Sequence, residues 1–166
     1  MTRRTSIAMV GAALLSLSAC SGSSGGGAAR LPSAELRHLD GSTVDLASLR
    51  GPALVNIWST TCTACVTEMP AVDAVDGRTL ADGRTVEVIG LNAGEDADVV
   101  AGFLDDLGVG FDILLDPFAD AQSKLHIAGL PTTLAIDADG RVVDTVAGAL
   151  DDRDLDRLLG ELSENP

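Results

Sequence analysis

Tyrosine is absent from this chain of 166 residues, and its aromatic side chains are one Trp and three Phe. The core must therefore be aliphatic. Basic residues are scarce too: 11 Lys and Arg face 25 Asp and Glu, a formal charge of −14. That balance argues against nucleic acid or an anionic bilayer as an electrostatic partner. Cysteine occurs three times, so thiolates alone cannot supply the four ligands zinc takes. The one long apolar run, Ile7 to Ala19, has thirteen residues, too few to span a bilayer. No internal repeat is present, and the length suits one domain with one core.

The apolar run follows Arg3 and Arg4 and contains no charge. This is the n-region and h-region of a secretory signal. The run closes Leu17-Ser18-Ala19-Cys20, which resembles the lipobox of bacterial lipoproteins. The resemblance implies a signal peptide over residues 1–19, cleavage before Cys20 and a diacylglycerol on its thiol. The alternative is an ordinary signal cleaved near Ala19, leaving a free thiol. Ser21 to Ala29 is Ser, Gly and Ala alone; it has nothing to bury and reads as a flexible tether. The expected plan is lipidated cysteine and tether over 20–30, then a domain over 31–166, held outside the cytoplasm on a bacterial membrane. Loss of the signal leaves nine basic residues against 25 acidic ones, a formal charge of −16.

The remaining cysteines form Cys62-Thr63-Ala64-Cys65. Ala53 to Trp58 is a short apolar run, read as a buried strand, and Val66, Met69, Val72 and Val75 follow at helical spacing. Cys62 thus falls at a helix N-terminus, where free N–H groups and the dipole stabilise a thiolate. Cys65, one turn on, can close a small disulfide ring. So small a ring removes little entropy from the unfolded chain, which favours reversible chemistry over bracing.

Along the domain, Glu35–Leu39 and Ser42–Leu46 flank Asp40-Gly41 as a hairpin. A helix is expected from about Ala64 to Leu80, kinked at Pro70. Val86–Leu91 and Phe111–Leu115 read as strands. Between them, residues 98–107 form a helix with Val99, Val100, Phe103 and Leu107 on one face. A shorter helix is expected over Phe118–Leu125. Thr132–Ile136 and Arg141–Val146 form a hairpin, and Leu155, Leu158, Leu159 and Leu162 mark a final helix with Asp151, Asp152 and Asp154 at its start. Strands alternating with helices imply an α/β sheet covered on both faces.

This order resembles the thioredoxin fold, and more closely the membrane-anchored thiol–disulfide oxidoreductases of the TlpA/ResA type. The resemblance rests on Asn56-Ile57-Trp58, on Cys62-x-x-Cys65 followed by Glu68-Met69-Pro70, on Gly129-Leu130-Pro131-Thr132-Thr133 and on Ile136-Asp137-x-x-Gly140. It implies that Cys62 is the attacking thiolate and Cys65 the resolving thiol. It implies a cis-proline at Pro131, with Leu130, Thr132 and Trp58 as substrate-binding residues; Trp58 would pack next to the site, and plain core packing is its alternative. Glu68 matches an acidic residue that could take the proton of Cys65; a solvated helix carboxylate is the alternative. Three departures stand out. Thr61 replaces an aromatic residue, Thr63-Ala64 lacks the proline common between the cysteines, and Asn56 stands where cytosolic thioredoxins carry a buried acid.

The implied reaction is thiol–disulfide exchange without a cofactor, with protein thiols or disulfides as substrates and a membrane partner supplying or removing electrons. A monomer is expected, with no nucleic acid bound. Reduction of exported disulfides, as in cytochrome c maturation, is favoured over oxidation. Rival readings are a peroxidase, for which Ser59 and Val55 replace the threonine and proline needed, and a thioredoxin-like binding lipoprotein without turnover. A further rival is a copper or zinc module using Cys62 and Cys65 with His38 or His126.

Overall fold

The computed structural model describes residues 29–166; the expected signal peptide, Cys20 and most of the tether lie outside the described residues. Seven strands form one sheet: β1 (Glu35–His38), β2 (Thr43–Asp45), β3 (Ala53–Trp58), β4 (Glu87–Ala93), β5 (Asp112–Asp116), β6 (Thr132–Ile136) and β7 (Val142–Ala147). Their spatial order is β2-β1-β5-β4-β3-β6-β7. The three central strands β5, β4 and β3 are parallel. An antiparallel hairpin extends each side, β1–β2 next to β5 and β6–β7 next to β3. The helices are α1 (Thr63–Asp73), α2 (Ala97–Leu107), α3 (Asp120–Lys124) and α4 (Asp152–Glu164). This is the thioredoxin-like arrangement, with the N-terminal hairpin as an addition.

The sheet separates two aliphatic cores, as alternation along buried strands requires. Leu54 and Trp58 of β3 point to the layer of α1, α2 and α4, with Met69, Val72, Val100 and Leu158. Ala53, Val55 and Ile57 point to the opposite layer, with Leu36, Leu46 and Ala121. Helix α4 follows the expected pattern: Leu155, Leu158, Leu159 and Leu162 are buried, and Asp151 caps it by accepting from the Arg153 and Asp154 N–H groups. Asp154 returns a bond to the Asp151 N–H, which completes a capping box.

Three local expectations fail. Helix α1 stops at Asp73, not near Leu80. Beyond it the backbone bonds sideways: Gly77 N–H donates to Val86 O, Val86 N–H to Arg78 O and Leu80 N–H to Arg84 O. The Asp76 carboxylate also accepts from Val88 N–H at 2.9 Å. Gly77 takes φ +72°, which a helix does not contain. Val99 is 54% exposed and does not share the inward face of Val100. Phe118 is 82% exposed and precedes α3, with the Arg37 guanidinium 6.0 Å from its ring centre.

Residues at the edge of the expected tether touch the sheet. Ala29 O accepts from Val142 N–H and Leu31 N–H donates to Gly140 O. The chain therefore joins the domain at the N-terminal end of β7, opposite the end where β3 delivers Cys62.

Candidate active site

Strand β3 ends at Trp58 and turns through Ser59, Thr60 and Thr61 into α1. Cys62 N–H donates to Ser59 O at 3.2 Å, which closes the turn. Cys62 is the N-cap of α1 and its Sγ accepts from the Cys65 N–H at 3.2 Å. A negative charge on that sulfur would meet both this donor and the positive end of the helix. Cys62 and Cys65 are joined in a disulfide with Cα atoms 5.3 Å apart. Cys62 is half-buried, whereas Cys65 is 0% exposed and belongs to the core with Met69 and Val72. One sulfur is reachable and the other sealed.

Glu68 lies three residues beyond Cys65, on the same face of α1. It is 5% exposed. Asn56 Nδ2 donates to its Oε1 at 2.8 Å and Leu150 N–H donates to its Oε2 at 2.7 Å. Burial pushes the carboxyl above its ordinary value, and the two donated bonds oppose that shift without cancelling it. This is a buried acid held by Asn56 and Leu150, not a solvated helix carboxylate.

The Leu130–Pro131 bond is cis. Pro131 is buried and its carbonyl accepts from Gly148 N–H. Leu130 is half-buried and packs against the core that holds Cys65. Among the described residues nothing bonds to the backbone N–H or C=O of Leu130. Two expected substrate contacts differ. Trp58 is 0% exposed, with its ring 5.9 Å from that of Phe103, and offers no surface to a substrate. The side chain of Thr132 is buried and its Oγ1 donates to Gly129 O at 2.8 Å, so it braces the loop from within.

Glu95 is the site residue that the sequence did not reveal. From the loop after β4 its carboxylate accepts from the Thr60 N–H at 2.8 Å, from the Thr60 hydroxyl at 2.5 Å and from Asn92 Nδ2 at 2.7 Å. It thereby fixes the turn that carries Cys62. Partial burial opposes its charge, but these bonds outweigh burial and hold the carboxyl below its ordinary value. A carboxyl lowered on folding stabilises the fold above its unfolded pKa, and that contribution is lost as pH falls through the folded value. Glu95→Ala is expected to cost about 1–3 kcal/mol at neutral pH, since Thr60 loses its partners. Urea unfolding measures this, and the deficit should shrink on acidification.

His38 lies 3.7 Å from Asp112 on the β1–β5 side, and His126 is exposed in the α3–β6 connection. Among the described residues no three His, Cys, Asp or Glu side chains gather as a metal site. Asp137 Oδ1 accepts from the Asp139 and Arg141 N–H groups, so the Asp137–Gly140 segment is a hairpin turn.

Residues 27–159 match the redoxin family model. The chain belongs to the redoxin family. Within that family it is similar to the thiol–disulfide oxidoreductase ResA of Halalkalibacterium halodurans, at 30% identity over 125 residues, which cover 75% of this chain and 70% of that protein. Its fold is similar to that of a thiol:disulfide interchange protein of Chlorobium tepidum, with a TM-score of 0.66, 24% identity and coverage of 82% of this chain and 97% of the other. It is also similar to a secreted disulfide oxidoreductase of Mycobacterium tuberculosis, with a TM-score of 0.64, 22% identity and coverage of 78% and 96%. This redoxin is accordingly a thiol–disulfide oxidoreductase of ResA-like type carrying the Cys62–Cys65 pair.

Proposed function

We propose that this redoxin is an exported lipoprotein that reduces disulfides in other exported proteins, apocytochrome c among the candidate targets. The observation that carries the reading is the asymmetric pair: Cys62 reachable at the start of α1, Cys65 sealed in the core, and the buried Glu68 one turn further on. The Cys62 thiolate attacks a substrate disulfide, a bond forms between the two sulfurs, and the first substrate sulfur leaves and takes a proton from water. Cys65 then gives its proton to Glu68, and its sulfur attacks Sγ of Cys62. The mixed disulfide breaks, and the second substrate sulfur leaves as a thiolate. Two electrons have moved to the substrate and the protein is oxidised. During the mixed disulfide, the backbone of Leu130 beside Pro131 holds the substrate strand, which is the family's role for that loop.

The resemblance to TlpA/ResA-type proteins supports the reducing direction. The sequence supports a signal peptide over residues 1–19, a lipid on Cys20, a tether to residue 30 and a domain from 31 to 166 on the outer side of a membrane, where a membrane-embedded redox partner returns electrons to the pair.

The reduction potential of the pair tests the direction, by equilibration of the protein against dithiothreitol or glutathione buffers. The expected value is near the thioredoxin level of about −270 mV. A value near the DsbA level of about −120 mV would make the protein an oxidant of secreted thiols instead.

A further inference from the structure

Asn56 carries no thiol, yet it is buried against Glu68, the acid that follows Cys65 on α1. It is 0% exposed. Its Nδ2 donates to Glu68 Oε1 at 2.8 Å and to Thr133 Oγ1 at 2.9 Å. Its Oδ1 is buried and has no partner among the described residues. Thr133 faces it from β6, in direct register.

A primary amide keeps its shape after a half-turn about χ2, with oxygen and nitrogen exchanged. Which atom occupies which place is decided by the protons of the neighbours. With Glu68 ionised, the two N–H bonds point at the carboxylate and at the Thr133 oxygen, and Oδ1 is left over. With Glu68 protonated, the turned amide puts Oδ1 in the same place. Its two lone pairs then accept from the Glu68 carboxyl and the Thr133 hydroxyl, and the NH2 group is left over. Either way Glu68 is bonded and one amide atom is not. Buried polar groups without partners are costly, so a neighbour that bonds both forms keeps both forms accessible. No aliphatic side chain can do this. A second carboxyl at position 56 would share a proton with Glu68, because two carboxylates so close cannot both ionise.

We propose that Asn56 is a positioning residue that sets the pH at which Glu68 takes the proton of Cys65, by bonding Glu68 in both its charged and its neutral form. The proposal rests on the role given to Glu68 above. The groups bonded at Glu68 are Asn56 from β3, with Thr133 of β6 behind it, and the Leu150 N–H from the loop before α4; Cys65 precedes it by three residues on the same helix. Asp151, next to Leu150, spends its carboxylate on the first turn of α4. No charged side chain bonds to Glu68 among the described residues.

The test follows the resolving step in the reduced full-length protein. Oxidised glutathione serves as the disulfide probe, and the Cys62–glutathione adduct is counted by mass spectrometry after acid quenching at a series of pH values. The rate of adduct loss should show an inflection that belongs to Glu68. Asn56→Leu removes both the donor to the charged form and the acceptor to the neutral form; the bond to the ionised carboxylate is the stronger of the two, so the inflection is expected to move up by about one pH unit. Asn56→Asp should replace the single inflection by two steps that belong to the carboxyl pair, the upper one above the original value, and it serves if the leucine variant fails to fold by circular dichroism. In Glu68→Gln the inflection should vanish, and adding Asn56→Leu should shift nothing further. An inflection unchanged in both Asn56 variants, but lost in Glu68→Gln, overturns the proposal and leaves the role of Glu68 intact. An inflection that survives in Glu68→Gln overturns the role of Glu68, and the proposal with it.

Discussion

Cys62→Ser is expected to lower disulfide exchange on the order of a thousandfold or more, because a hydroxyl at neutral pH supplies almost no anion and Cys65 cannot stand in. Cys65 is fully buried under the first turn of α1, so no substrate disulfide reaches its sulfur. Cys65→Ser should fail differently. The reachable thiol still attacks, but nothing displaces the product, and the protein accumulates as a mixed disulfide after one event. Mass spectrometry of the two variants after incubation with a protein disulfide separates the cases: no adduct for the first, a stable adduct for the second. Turnover retained by Cys62→Ser would mean that the helix-capping sulfur is not the nucleophile, whereas cellular function kept by a variant that no longer turns over would favour a binding lipoprotein.

Gly51→Ala is expected to be the most damaging small substitution in the fold, at about 3 kcal/mol or more. A Cβ at Gly51 would lie 1.8 Å from Ile136 O and 2.8 Å from both Ile136 C and Ala53 N. All three are backbone atoms, so no side chain can swing away. Ala53 and Ile136 are register partners of β3 and β6, and Gly51 N–H donates to Asp137 O at 2.8 Å. Relief requires the central strand to part from its neighbour. Chemical denaturation at neutral pH measures the loss. The clash is at the end of β3 remote from Cys62, so whatever fraction stays folded should exchange thiols at the ordinary rate. A loss under 1 kcal/mol would show that the two strands separate with little resistance.

These two positions differ in how far the sequence reveals them. Cys62 announces itself, because a thiol pair between an apolar strand and a helix-period run leaves few other readings. Strand order along the chain was equally plain, since short apolar runs such as Ala53–Trp58 and Glu87–Ala93 alternate with longer segments of helical spacing. The end of α1 was not plain. Apolar spacing continues through Val75 to Leu80, and only the cross-bonds to Arg84, Val86 and Val88 turn that segment out of the helix. Tertiary hydrogen bonds overrode local periodicity there. Val99 misled for a different reason: it has the right residue type and the wrong azimuth on α2. Glu95 was hidden by company. It is one of 25 acidic residues, and its partner Thr60 lies 35 positions away. Glu68 was visible as a match, but its burial was not, because that depends on a loop closing over it from Leu150.

Trp58 carries a last consequence. It is the single tryptophan of the chain, wholly buried in the same core as Cys65, and there is no tyrosine to contribute emission. Ultraviolet fluorescence of this protein therefore originates at one point, inside the core that the Cys62–Cys65 disulfide closes. The molecule comes with an optical gauge at its own working centre, and titrations of its redox state need no attached dye.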